Sequence, residues 1–153
     1  MFAMSFSRAL SDRASFLIKT ASMLLQNKNA IIYGAGGSLG GAVAKAFAGA
    51  GTKVFLTGRH LSSVQKTADE ILASGGQVEV DQVDALDEKA IHAHIEKVVQ
   101  KAGTVDISFN AVDISVVMNI PLIDMAVADF VDPITVTMQT RFLTAVAAGR
   151  VKL

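Results

Sequence analysis

The sequence predicts an α/β fold built on a doubly wound parallel sheet. Short apolar runs alternate with longer stretches whose apolar residues recur every three or four positions, the signatures of strands and amphipathic helices. The first apolar run ends in a glycine cluster, Gly34-Ala35-Gly36-Gly37-Ser38-Leu39-Gly40-Gly41, and an alanine-rich stretch follows it. Strands separated by helices of this length form βαβ units, and such units make a parallel sheet with right-handed crossovers. The expected strand order is 3-2-1-4, with helices on both faces.

Asn29 to Tyr33 is the first strand, and its continuous apolar core Ala30-Ile31-Ile32 suits a sheet covered on both faces. Ser38 to Ala50 is the first helix, with Leu39, Val43 and Phe47 at helical spacing and Gly49 and Gly51 at its end. Lys53 to Thr57 is the second strand. Leu61 to Ala73 is the second helix, with Leu61, Val64, Ala68, Ile71 and Leu72 on one face. Gln77 to Val83 is the third strand. Asp87 can cap a third helix lined by Ile91, Ile95, Val98 and Ala102 and ended by Gly103. Val105 to Phe109 is the fourth strand. A longer connection holding Pro121 leads to a last helix, from about Ala126 to Ala148, with Pro133 near its start.

The glycine cluster lies between the first strand and the first helix. Glycines there permit a tight turn and let the backbone approach a pyrophosphate, while the helix N-terminus offers free N–H groups and a positive dipole end. Such folds read the adenosine ribose just after strand two, where an acid selects the 2′-hydroxyl of NAD. This chain has Thr57-Gly58-Arg59 there. An arginine without an acid favours the 2′-phosphate of NADP, by charge and by bidentate geometry. NADP is therefore the expected cofactor, with NAD the weaker alternative.

Tyr33 to Gly40 resembles the Thr-Gly-x-x-x-Gly-x-Gly loop of the short-chain dehydrogenase/reductase family. Gly34 and Gly40 match its outer glycines, Ser38 replaces the middle one and Tyr33 the threonine. A hydroxyl at Ser38 can donate to a phosphate oxygen. Val83-Asp84 resembles the family's aspartate that bonds the adenine amino group, with the backbone of Ala85 alongside. Phe109-Asn110-Ala111-Val112 resembles the Asn-Asn-Ala-Gly segment beside the cofactor. Val112 does not readily take a positive φ, so a different local turn is expected. The resemblance runs from about Met23 to Ala148 and implies a Rossmann-type domain over residues 23–153, incomplete at its C-terminal side. The cofactor-binding residues it implies are Gly34, Gly36, Gly37, Ser38, Leu39, Gly40, Arg59, Asp84, Ala85, Asn110 and Ala111.

The resemblance also implies reversible hydride transfer between NADP and a carbonyl or alcohol, with homo-oligomers paired through the last helix. That helix carries Phe130, Ile134, Met138, Phe142 and Val146 near one stripe, which alternatively covers the sheet. The family's proton donor is a Tyr with a Lys four residues on. The single tyrosine here, Tyr33, is followed at that distance by Gly37. The family's helical Asn corresponds to Thr137. No catalytic residue is assigned, and the chain is expected to be an inactive fragment by itself. A non-catalytic dinucleotide-binding or interaction module is the alternative.

Other function classes find little support. Lys plus Arg and Asp plus Glu are 14 each, so no basic excess points to nucleic acid. With no cysteine there is no thiolate metal site or thiol nucleophile. His92 and His94 diverge on a helix, and with His60 they read as surface or boundary residues. Asp81, Asp84, Asp87 and Glu88 read as a strand end and a helix cap. No metal site and no membrane partner are expected. Residues 1–22 form a separate N-terminal extension, with Phe6, Leu10, Ala14, Leu17 and Ala21 at helical spacing and Arg8, Arg13 and Lys19 against Asp12. It reads as a docking helix or an upstream extension of a cytoplasmic protein, with an organelle transit peptide as the alternative.

Overall fold

The computed structural model describes residues 25–151. The N-terminal extension read at residues 1–22 lies outside them. Four parallel strands form one sheet in the order β3-β2-β1-β4: β1 Asn29–Tyr33, β2 Lys53–Gly58, β3 Gln77–Gln82 and β4 Ile107–Asn110. The helices are α1 Ser38–Gly49, α2 Leu61–Ala73, α3 Glu88–Ala102 and α4 Val127–Arg150. Ile31 pairs in register with Phe55 of β2 and Ser108 of β4, which makes β1 a central strand.

Strand alternation splits the core into two layers. Ala30, Ile32, Val54 and Leu56 pack against Ala44 and Ala48 of α1 and Val64, Ala68 and Ile71 of α2. Ile31, Tyr33 and Phe55 face the other way, against Ile91, Ile95 and Val98 of α3 and Ala147 of α4. The helices thus cover both faces, and each contributes its i, i+3, i+4 stripe. At the start of α3, Asp87 accepts a 3.1 Å bond from the Ala90 N–H, satisfying one of the helix's orphan donors.

Two expectations need correction. The fourth strand pairs from Ile107, not Val105; Val105 is buried as a core residue just ahead of the ladder. The last helix begins where expected, at Val127, with Pro133 in its second turn. Pro133 has no N–H, so the Asp129 carbonyl lacks its usual donor four residues on. His94 is a core residue, because it falls on the same helical stripe as Ile91, Ile95 and Val98.

Candidate cofactor site

A cavity of about 390 Å³ opens at the C-terminal ends of the four strands. Ligands of open α/β sheets bind in this position, where the strand order reverses beside β1. The chain leaves β1 through Gly34, at φ 76°. A side chain at Gly34 would meet the Ala111 carbonyl oxygen at 2.5 Å, and one at Gly40 would meet the Gly34 carbonyl oxygen at 2.3 Å. The loop therefore folds flat against β4 on one side and α1 on the other. Gly34 N–H and Ala35 N–H both donate to the Thr57 carbonyl at 3.0 Å, which ties the loop to β2. The capping residue of α1 is Gly37, which has no side chain to satisfy the first-turn N–H groups. Those donors and the positive dipole end are what an anion needs.

Six of the expected residues line the cavity: Gly34, Gly36, Gly37, Arg59, Asp84 and Ala85. Five take other places. Ser38 and Leu39 are exposed on the first turn of α1, and Gly40 is buried as the contact that seats α1 on the loop. Ala111 backs Gly34, and its N–H donates to the Tyr33 carbonyl at 2.8 Å. Asn110 spends its side chain internally: Oδ1 accepts from Val112 N–H at 3.0 Å and Nδ2 donates to Thr144 Oγ1 at 3.1 Å. That bond makes the turn after β4. Val112 accordingly needs no positive φ, and it has none.

Arg59 follows β2 at the rim, and among the described residues its guanidinium has no hydrogen-bond or ion-pair partner. Its carbonyl accepts a 3.0 Å bond from Gln82 Nε2. Ser63 Oγ donates to the His60 carbonyl at 2.8 Å and lies against Gly36. Asp84 Oδ1 accepts from Leu86 N–H at 3.0 Å, which fixes the carboxylate at the mouth of the cavity. The other suspected acids have structural employment: Asp81 pairs with Lys97 and Asp87 caps α3.

The sequence reading missed His60, Ser63, the stretch 112–115 and the α4 residues Asp132, Val136 and Thr140, all on the cavity wall. The rule that ligands sit beyond the strand ends would have flagged the stretch after β4. The α4 residues carry no local signal, since their place depends on how that helix leans across the sheet.

Tyr33 is fully buried among Ile91, Ile95 and Phe55, on the α3 side of the sheet. Its hydroxyl has no hydrogen-bond partner among the described residues, and burial pushes its pKa well above the usual phenol value. His94 lies edge-on to it at 6.4 Å between ring centroids. Burial lowers the pKa of His94, and the Asp81 carboxylate at 3.5 Å opposes that only in part.

The family model for short chain dehydrogenase matches residues 28–150. The chain belongs to this family. The short-chain dehydrogenase chain is 36% identical over 86 residues to an uncharacterized oxidoreductase, YxbG, of Bacillus subtilis. It is 32% identical over 92 residues to a cyclohexanol dehydrogenase of Acinetobacter. These matches cover 56% and 60% of the chain but only 32% and 37% of the two relatives. Among solved structures, a short-chain dehydrogenase/reductase of Mycobacterium marinum matches with TM-score 0.74 and 32% identity, over 83% of this chain and 51% of that one. A metagenomic short-chain oxidoreductase in complex with NADP matches with TM-score 0.72 and 26% identity, over 82% of this chain and 57% of that one. The chain spans about half the length of these structures.

Proposed function

We propose that this chain is the cofactor-binding part of an NADP-dependent reductase or dehydrogenase acting on a carbonyl or alcohol. The observation that carries the reading is the end of β2. Thr57-Gly58-Arg59 puts no carboxylate at the ribose position and, on the cavity rim, a guanidinium without a partner among the described residues. The family's dinucleotide chemistry and the NADP held by the metagenomic relative support the same choice. NAD is the weaker alternative, because it offers Arg59 no 2′-phosphate.

The residues present fit a dinucleotide. Side chains at Gly34 or Gly36 would collide with backbone or with Ser63, so only glycine lets the loop pack this closely, and the cavity it borders is where a pyrophosphate fits. The first-turn N–H groups of α1 hold its charge. Asp84 and the Ala85 backbone receive the adenine, and Arg59 the 2′-phosphate. When bound, the nicotinamide supplies the hydride chemistry.

The 153 residues fit this cofactor but lack the Tyr-x-x-x-Lys pair that serves the family as proton donor. Tyr33 is the single tyrosine, Gly37 stands four residues on, and the hydroxyl is sealed away from the cavity. We therefore expect no turnover from this polypeptide alone. The second reading, a non-catalytic dinucleotide-binding module, is favoured by that same feature. The exposed stripe Phe130, Ile134, Met138 and Phe142 suits pairing with a second copy, and α4 turns its other face, Leu143, Thr144 and Ala147, to the sheet. Among the described residues no helix is long and apolar enough to cross a membrane. A cytoplasmic location is part of the proposal.

The test follows NADPH oxidation by the purified chain against a panel of aldehydes and ketones, with Tyr33→Phe as control. Bound NADPH with no oxidation above buffer, in both proteins, is expected. Turnover that survives purification and disappears in Tyr33→Phe would contradict the reading.

A further inference from the structure

We propose that Thr144 is a positioning residue for the nicotinamide half of the site, acting through Asn110. The assignment rests on the dinucleotide reading above and adds a role for a residue that touches no ligand. Thr144 is buried on α4, facing β4. Its hydroxyl hydrogen goes to the Thr140 carbonyl at 2.9 Å, with the Arg141 carbonyl at 3.3 Å as a second, longer acceptor. The oxygen lone pairs are then left for Asn110 Nδ2, at 3.1 Å.

The direction of this chain of bonds is fixed from its other end. Val112 N–H can only donate, so the Asn110 atom facing it at 3.0 Å must be the carbonyl oxygen Oδ1. The amide nitrogen must then face Thr144. Val112 to Asn110 to Thr144 to the Thr140 carbonyl is one run of donors pointing the same way, half-buried at Val112 and Asn110 and buried at Thr144.

Both ends of that run are cavity wall. Val112, Asp113, Ile114 and Ser115 form one side and Thr140 with Val136 the other. Arg59, His60 and Ser63 lie on the opposite rim, after β2. A dinucleotide whose 2′-phosphate meets Arg59 extends its nicotinamide toward the Thr144-controlled wall. Loss of the hydroxyl leaves Asn110 Nδ2 without a buried acceptor and frees the amide to turn, which releases Val112 and the stretch after it. The adenosine rim is untouched.

Two probes separate the halves. NADP spans the cavity, and adenosine 2′,5′-bisphosphate carries the adenosine end without the nicotinamide. Thr144→Val keeps the shape and removes the hydroxyl. It should weaken NADP about five- to tenfold, as for one lost hydrogen bond, and leave the bisphosphate within about twofold. Thr144→Ser should restore NADP binding. Asn110→Asp, which keeps the acceptor for Val112 and loses the donor to Thr144, should repeat the selective loss.

Equal weakening of both probes would mean a general structural role and would overturn the assignment. So would unchanged NADP binding in Thr144→Val. Failure of both Thr144→Val and Asn110→Asp to fold would assign the run of bonds to the fold rather than the site. A wild-type chain that binds neither probe would contradict the dinucleotide reading itself, and the role of Thr144 would fall with it.

Discussion

The two ends of the cavity are built differently. On the β1 side, the glycine loop is closed in by β2, β4 and α1, and every strand residue from Ala30 to Tyr33 is fully buried. On the β4 side, all four strand residues are only half-buried, since β4 has a neighbour on one edge alone. The connection and helix beyond it expose large apolar side chains: Met118 at 72%, Leu122 at 79%, Ile123 at 93% and Phe142 at 66%. The first region is fixed by its own packing. The second presents apolar surface of the kind that marks contact with something else. The cavity thus has one wall closed by its own packing and another bordered by exposed apolar surface.

The sharpest way to break that contrast is through the glycines. Gly40→Ala places a methyl 2.3 Å from the Gly34 carbonyl oxygen, so the loop or α1 must move. A stability loss of about 1–3 kcal/mol is expected, together with loss of measurable NADP binding. Gly49→Ala meets nothing within 4 Å and should be neutral or stabilising by about 0.4–1 kcal/mol. Chemical denaturation of the two variants side by side checks both.

A second test addresses the open region. If α4 pairs two copies, the double change Met138→Glu with Phe142→Glu should raise the dimer dissociation constant about thirtyfold or more. Light scattering over a concentration series reads it, and adenosine-end binding should not change. A monomer at all concentrations in the unchanged chain would leave the stripe without that partner.

A third test concerns pH. The folded pKa of His94 lies below its unfolded value because burial disfavours the cation. Above about 6.5, the ordinary histidine value, the ring is neutral in both states and costs nothing. As pH falls below that, the unfolded chain takes up a proton that the fold resists, so stability drops. Asp81 pulls the other way, and Lys97 and Glu79 also act on the ring. His94→Leu should flatten this acid-side slope in denaturation curves measured from pH 7.5 to 5.

The smallest effect is expected at Tyr33. Its hydroxyl is buried without a partner among the described residues, so Tyr33→Phe should be neutral or stabilising by about 1 kcal/mol. Thermal unfolding measures it, and NADP affinity should be unchanged.

Most of the fold was legible because its periodicities are local. Asn29–Tyr33, Lys53–Gly58 and the stripes of α2 and α3 can be read from neighbouring residues alone. The errors fall where distant contacts decide. Val105 is apolar and buried, yet β4 pairing begins two residues later, opposite Ala30. His94 was read by residue type, but its place among Ile91, Ile95 and Val98 sets its burial. In the site, Gly34, Gly36, Gly37, Arg59 and Asp84 follow strand ends and could be placed by that rule. Thr140 reaches the cavity only through the lie of α4 over the sheet, and Asn110 bonds inward to Thr144. No spacing in the sequence encodes that pairing, 34 residues apart.

The central claim is that this chain cradles NADP and selects it through Arg59. Calorimetric titration of the chain with NADP and with NAD, repeated on Arg59→Asp, tests it most directly. The account predicts tighter NADP than NAD binding, by about tenfold or more for a charge-assisted contact, and collapse or reversal of that preference in Arg59→Asp. Equal affinities for the two nucleotides, unaltered by the substitution, would contradict it.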